Sequence, residues 1–204
     1  TGPLHIGHGR WAVLGSVLDT IIRFVQIPVL SEFYINDAGN QIKNLYKSVE
    51  AVKNGQPIPE DGYHGAYVHD LAKLDRDPLL QNIDNQKQTL QKLGVVFDEW
   101  FSEKSLYALG EVEKILKLFE VKGLSFEQDG AVWFKSSAFG DEKDRVLVKT
   151  DGSFTYFLVD VAYHCNKINR GFNSLINIWG ADHHGYVPRM KAAVSALCGE
   201  EYLE

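Results

Sequence analysis

At 204 residues, 45% of them hydrophobic, the chain can bury a sizeable core as one large domain, or as one domain carrying an insertion. A net charge of −6 argues against a globally basic nucleic-acid binder, while a local basic patch stays compatible with it. No apolar run is long enough to span a bilayer, no secretory segment is visible, and Cys165 and Cys198 stand far apart outside any C-x-x-C pair, so the composition reads as a cytosolic protein with reduced thiols.

The chain opens on Thr1-Gly2-Pro3-Leu4-His5-Ile6-Gly7-His8-Gly9-Arg10. Two histidines stand three apart, with glycines around them and an apolar-striped helix to follow. A glycine lets a planar ligand lie against the backbone, because no Cβ intervenes. A helix start offers unpaired N–H groups and a positive dipole end, which suit phosphate. A histidine on that turn can donate to an oxygen that gains negative charge during a reaction. The stretch therefore reads as a nucleotide-phosphate site, against the plainer reading of a solvated loop with two incidental histidines.

Residues 11–27 carry Val13, Leu14, Val17, Leu18, Ile21, Ile22 and Val25 at helical spacing, and Pro28 is expected to end that helix. Val29 to Ile35 reads as a strand. Loop, glycine-bearing helix and strand follow the grammar of a nucleotide-binding α/β unit. The strand that should precede Thr1 is not in the sequence. With Met190 the only methionine, the chain reads as a piece of a longer protein.

Asn36 and Asp37 sit where that strand stops and a helix containing Leu45, Val49 and Val52 begins. Ligands of open α/β sheets collect at such strand ends; capping of the helix is the competing role. Residues 54–64 look like a linker leaving the sheet, 65–75 and 79–93 like helices, Val95-Val96-Phe97 like a short strand, and 106–122 like one amphipathic helix closed by Gly123. Leu124 to Glu127, Ala131 to Phe134 and Arg145 to Lys149 read as strands, with turns at Asp129-Gly130 and Asp151-Gly152. Tyr156 to Asn169 reads as a helix. Leu175 to Trp179 is a nearly continuous apolar run, as buried parallel strands tend to be. Gly180-Ala181-Asp182-His183-His184-Gly185 stands at its carboxyl end, before a helix opening at Pro188.

These residues carry a family resemblance. His5-Ile6-Gly7-His8, the segment Glu32 to Ile42, the run Phe139 to Val148, the helix Thr155 to His164 and the stretch Trp179 to Arg189 together resemble the catalytic region of the class I arginyl-tRNA synthetases of the bacterial type. The likeness covers nearly the whole chain. It implies an α/β fold: a Rossmann-type class I synthetase catalytic domain with a parallel sheet, interrupted by an inserted α+β connective module. The expected division is a first Rossmann half over 1–54, the inserted module over 55–150 and a second half over 151–204.

What the resemblance implies for the sites is specific. His5 and His8 would stabilise charge on the α-phosphate of ATP, and Leu4, His5, Gly7, His8, Asp182 and His183 would bind the nucleotide. Asn36, Asp37, Tyr156, Asp160 and His183 would bind arginine, with Asp160 facing the guanidinium and Tyr156, four residues earlier, on the same helix face. The substrates would be L-arginine, ATP with Mg2+ and tRNA(Arg), for a cytoplasmic monomer with no membrane partner and no tightly bound metal. The adjacent His183 and His184 suggest zinc, but no cysteine or third ligand lies at zinc-like spacing. Lys149, Arg145 and Arg189 are open either to phosphate or tRNA, or to a solvated face. The family's arginine-binding residues upstream of the opening turn, its Lys-Met-Ser-Lys-type loop and its anticodon-binding domain are not in this sequence, so the piece alone is expected to be weak or inactive. The alternatives are another class I nucleotidyltransferase, or a non-catalytic paralogue binding tRNA or a regulator; the intact His5, His8 and Asp160 speak against the second.

Overall fold

The computed structural model describes residues 2–199 and 202, and the side chains of Ala181 and Asp182 fall outside that description. The chain forms two compact units, Thr1–Lys104 and Ser105–Glu204, whose boundary lies inside the stretch read from the sequence as an inserted module.

The first unit runs α1 (Ile6–Phe24), β1 (Glu32–Ile35), α2 (Gly39–Lys53), α3 (Ala66–Ala72), α4 (Pro78–Lys92) and β2 (Glu99–Ser102). β1 and β2 pair in parallel, in register from Glu32 with Glu99 to Ile35 with Ser102. A parallel pair needs a crossover, and α2 to α4 supply it. Asp98, just before β2, fixes the register. Its carboxylate accepts from the Ser31 N–H at 2.7 Å and the Ser31 hydroxyl at 2.9 Å, and pairs with Arg23. Arg23 also pairs with Asp19 one helical turn earlier. One acid therefore ties the end of α1 to the entry of both strands, and the Ser31 backbone N–H is the first cause holding it below the ordinary carboxylate range.

Among the described residues, two small cores hold this unit. Leu45 and Val49 of α2 pack with Val68 and Leu71 of α3. Ala12 of α1 and Leu90 of α4 pack with Val95, and Leu4, Phe33, Phe97 and Trp100 close around them. The Phe33 and Trp100 rings stack at 4.4 Å across the strand pair.

Several sequence expectations shift here for local reasons. α1 begins at Ile6, because His5 caps it, and it ends at Phe24 rather than at Pro28, since Gln26 turns to a φ of 61°. None of its apolar stripe is fully buried: Leu18 and Ile22 are half-buried, Val13, Leu14, Val17, Ile21 and Val25 are exposed, and the buried residue of the helix is Ala12. Val95 to Phe97 does not form the expected strand. The Val95 N–H bonds back to the Leu90 carbonyl at 2.9 Å, closing α4, and the ladder starts only at Glu99.

In the second unit, α5 (Glu103–Ala108), which begins at the boundary, is followed by α6 (Glu111–Val121), β3 (Ser125–Gln128), β4 (Ala131–Phe134), β5 (Arg145–Val148), α7 (Tyr156–Asn169) and α8 (Val187–Cys198). The single helix expected over 106–122 is broken at Gly110, which takes a left-handed φ of 65° to start α6. β3, β4 and β5 form an antiparallel sheet, turned at Asp129 and Gly130 as the Asp-Gly pair predicts. α7 matches its sequence range. Thr155 caps it, its hydroxyl accepting from the Leu158 N–H at 3.3 Å while donating to the Val146 carbonyl at 2.9 Å, so the helix start is anchored to β5. Leu158 and Val161 of α7, Met190 and Val194 of α8, Phe119 of α6, Phe134 of β4 and Leu147 of β5 are all buried.

Leu175 to Trp179 forms no strand among the described residues. Leu175 is buried and its N–H reaches the Tyr202 carbonyl at 3.0 Å, but Ile176 is exposed and Asn177 turns its amide onto His164. A run with one face open and its polar member engaged sideways does not have the two buried faces of a central parallel strand. No described helix is long and apolar enough to cross a membrane.

Candidate active site

The opening turn is held by its own histidines. His5 is the N-cap of α1, and its Nδ1 accepts from the Gly7 N–H at 3.1 Å. The His5 N–H donates in turn to His8 Nδ1 at 3.2 Å. This is a capping box built from two imidazoles. The rings lie 3.8 Å apart, and Trp11 stands edge-on to His8 at 5.5 Å. Because both Nδ1 atoms accept, the ring proton of each neutral imidazole sits on Nε2. Burial, then the His5 charge, push His8 below its ordinary value. The turn thus presents a neutral Nε2–H donor from His8, beside a second one from His5, at a helix N-terminus.

Gly7 is required here for a reason the sequence did not reveal. A Cβ on it would stand 2.8 Å from His5 Cε1 and 3.0 Å from His5 Nδ1. The glycine makes room for the capping ring itself. Leu4 is partly buried against the core of Ala12, Leu90 and Val95, which seats the turn on the unit.

Asp37 stands at the tip of β1 with its carboxylate engaged: Ser102 Oγ donates to Oδ2 at 2.5 Å and the Lys104 N–H to Oδ1 at 2.8 Å. It links the tips of the parallel pair and caps the start of α5. The capping expected of Asn36 or Asp37 on α2 is not formed, since Ala38 is the N-cap there and no side chain bonds it.

The second cluster is built on α7. Asp160 is half-buried and accepts from the Tyr186 hydroxyl at Oδ2, at 2.5 Å. Burial pushes its carboxyl above the ordinary range, opposed by the Tyr186 hydrogen bond and by the charges of Lys167 and His183. Tyr186 is pushed up as well, by burial first and then by the Asp160 charge. Beneath the acid, His164 Nδ1 meets the Asp160 backbone carbonyl at 2.7 Å, and its Nε2 meets the Asn177 amide nitrogen at 2.9 Å. A carbonyl oxygen can only accept, so Nδ1 carries the proton and Nε2 accepts from the amide. Lys167 donates to the Asn177 oxygen at 3.1 Å. Burial, helped by the Lys167 charge, lowers His164 to about 3. It is therefore neutral at physiological pH.

Tyr156, on the first turn of α7, is 65% exposed, so it is not a core aromatic. His183 is exposed, with its ring 6.1 Å from Trp179 and 6.3 Å from Tyr186. The Asp182 side chain lies outside the described residues. Arg145 is not left for phosphate: its guanidinium forks onto Asp141, Nε to Oδ2 at 2.6 Å and Nη2 to Oδ1 at 2.6 Å. Lys149 is exposed. Arg189 lays its guanidinium over the Tyr186 ring at 5.2 Å, and its buried Nε meets no acceptor among the described residues.

Sequence reading missed Tyr186, His164 and Asn177. The signal was present in the spacing of Asp160 and His164, one helical turn apart, but nothing local announced that the stretch after Trp179 folds back onto that face.

The histidine pair capping the first helix of an α/β unit with a parallel strand pair agrees with the class I synthetase fold that the sequence resembles. The family described as "tRNA synthetases class I (R), catalytic domain" matches residues 67–195, and the chain belongs to that family. The arginine–tRNA ligase of Anoxybacillus flavithermus is 48% identical over 97% of this chain and 40% of that protein. The arginine–tRNA ligase 1 of Halalkalibacterium halodurans is also 48% identical over the same shares. A solved arginyl-tRNA synthetase structure from Campylobacter jejuni superposes with a TM-score of 0.90 at 37% identity, over 100% of this chain and 50% of that one. The Thermus thermophilus arginyl-tRNA synthetase shares the fold, with a TM-score of 0.76 at 18% identity over 99% of this chain and 45% of its own. The chain spans about two fifths of the length of the curated relatives it matches.

Proposed function

We propose that the protein to which this chain belongs activates L-arginine with ATP and transfers it to tRNA(Arg). The observation that carries this reading is Asp160: a half-buried carboxylate with one oxygen bonded to Tyr186 and no described residue bonding Oδ1. Such an acid suits a guanidinium, which is planar, permanently charged and pairs bidentately.

In the activation step the arginine carboxylate attacks the α-phosphorus of ATP. A bond forms from carboxylate oxygen to phosphorus, the bond from that phosphorus to the oxygen bridging to the β-phosphate breaks, and pyrophosphate leaves. His5 and His8 donate their Nε2–H groups to the α-phosphate oxygens, where charge accumulates. A terminal ribose hydroxyl of tRNA then attacks the arginyl carbonyl, and AMP leaves. Gly7 and Leu4 take the adenine side, Asp182 the ribose hydroxyls, and His183 is assigned to the nucleotide and to arginine as the family resemblance implies. Tyr156 packs on the substrate stem. Asn36 and Asp37 belong to the arginine side, and Asp37 acts there by holding the strand tips together. We further assign the protein to the cytoplasm as a monomer.

The test is pyrophosphate exchange with the full-length protein, ATP and tRNA(Arg). Arginine is expected to drive exchange, and lysine and citrulline are expected not to. Equal exchange with lysine overturns the substrate assignment.

A further inference from the structure

Tyr186 is held more firmly than a packing aromatic needs to be. Its ring meets Phe157 edge-to-face at 6.2 Å and Trp179 at 5.6 Å, and the Arg189 guanidinium lies over it. It closes the short 3-10 turn Ala181–Tyr186 and caps the start of α8, so its backbone is set by a helix. The hydroxyl is left a single described acceptor, Asp160 Oδ2.

We propose that Tyr186 is a specificity-determining positioning residue for the arginine head: its hydroxyl fixes the plane of the Asp160 carboxylate and leaves Oδ1 for the guanidinium. The proposal rests on the reading of Asp160 as the guanidinium partner. A carboxylate free to rotate meets any cation. A carboxylate with a pinned plane favours a planar fork over a point charge such as a lysine ammonium, which gains nothing from the alignment. Holding the plane before the ligand arrives also removes an ordering cost from binding.

Charge supports the same role. The groups that face Asp160 are the Tyr186 hydroxyl and His183 from the 3-10 turn, and Lys167 with neutral His164 from its own helix. Arg189 from α8 faces the Tyr186 ring and pulls the phenol towards a stronger donor. Burial works against the carboxylate, and the Tyr186 hydrogen bond is the strongest influence that restores it. Without that bond the acid holds its proton to higher pH, and a protonated Asp160 cannot pair with a guanidinium.

The test uses the full-length enzyme in tRNA-dependent pyrophosphate exchange. Tyr186→Phe keeps the ring and its aromatic cage, and 3-fluorotyrosine at the same position keeps the shape with a more acidic hydroxyl. For Tyr186→Phe the arginine KM is expected to rise about tenfold or more, the order of a lost hydrogen bond to a charged group, with kcat changed by less than about threefold. The acid limb of kcat/KM for arginine moves to higher pH in Tyr186→Phe and to lower pH in the fluorotyrosine enzyme, and discrimination against lysine narrows in the former. Asp160→Asn is measured alongside and loses arginine-dependent exchange. Normal arginine exchange by Asp160→Asn overturns the reading of Asp160, and this proposal with it. If Asp160→Asn is inactive while Tyr186→Phe leaves the KM and the acid limb unmoved, Tyr186 is packing alone and only this proposal falls. Should Tyr186→Phe not fold, an unshifted limb in the fluorotyrosine enzyme has the same force.

Discussion

Single atoms decide the opening turn. A methyl group on Gly7 collides with the His5 ring, and that ring supplies the N-terminal cap of α1. Gly7→Ala is therefore expected to displace His5 and lose the alignment of its Nε2–H. Removal of one such donor typically costs about 10²–10³ in rate. In the full-length enzyme kcat for pyrophosphate exchange should fall on that order with the arginine KM little changed; an unchanged kcat would show that the ring position does not matter. Asp141 and Arg145 illustrate the opposite case, charge used for structure. Asp141 is buried, accepts both arginine nitrogens, and also accepts from Ser136 Oγ at 3.0 Å and the Glu142 N–H at 2.8 Å. The Arg145 hydrogen bonds lead the causes that hold its carboxyl below the ordinary range. Arg145→Met leaves that carboxylate buried without its cation and should cost about 3–5 kcal/mol of stability. Arg145→Met with Asp141→Leu should recover a large part of it, read as urea midpoints. The basic residue that looked available for phosphate in the sequence belongs to this pair.

Within the elements, α7 is the one whose sequence and structure agree most fully, and it also holds the pH-sensitive group. His164 is lowered from 6.5 to about 3 by burial, so the folded protein declines a proton that the unfolded chain takes up below 6.5. For a base depressed in this way, stability is intact above the unfolded value and falls as pH drops from about 6.5 towards 3. The slope is about 1.4 kcal/mol per pH unit for one group. His164→Gln keeps hydrogen-bonding capacity without a titrating ring. It should flatten the loss of stability between pH 6.5 and 5, measured as urea midpoints; an identical slope in the variant would assign the loss to other groups. Thr155 gives a second element-scale expectation. Thr155→Ala removes the cap of α7 and its anchor on β5, and should cost about 1 kcal/mol or somewhat more in thermal unfolding.

How far each element could be read ahead follows from where its determinants lie. Capping, turn and periodicity signals are local, so α4 after Asp77 and Pro78, the Asp129-Gly130 hairpin and α7 after Thr155 stand close to where their residues put them. Strand membership is not local. Val95 and Val96 have stronger strand character than Glu99 to Ser102, yet Val95 is used to close α4, and the polar-flanked Glu-Trp-Phe-Ser run pairs with β1. The Leu175 to Trp179 run shows the same limit, because apolar character alone does not supply a neighbouring ladder. Of the site, His5, His8, Gly7 and Asp160 were legible as residue types in a pattern. Tyr186 was not, since its role depends on the chain folding back across 26 positions onto that acid, and the partner of His164 on its far side, Asn177, comes from outside the helix.

For the molecule as a whole, the sequence, the family match and the fold agree on a catalytic region of a class I arginine-type synthetase. The proposed labour is divided between two sets of side chains, one on the opening turn for the nucleotide and one around Asp160 for the amino acid. The decisive measurement is the kinetic separation of the two in the full-length enzyme: kcat and the KM values for arginine and ATP, by pyrophosphate exchange with tRNA(Arg), for His8→Asn and Asp160→Asn beside the unaltered protein. His8→Asn is expected to lower kcat with the arginine KM nearly unchanged, and Asp160→Asn to abolish saturation by arginine while ATP binding persists. An Asp160→Asn enzyme that saturates with arginine as the unaltered protein does would contradict that division.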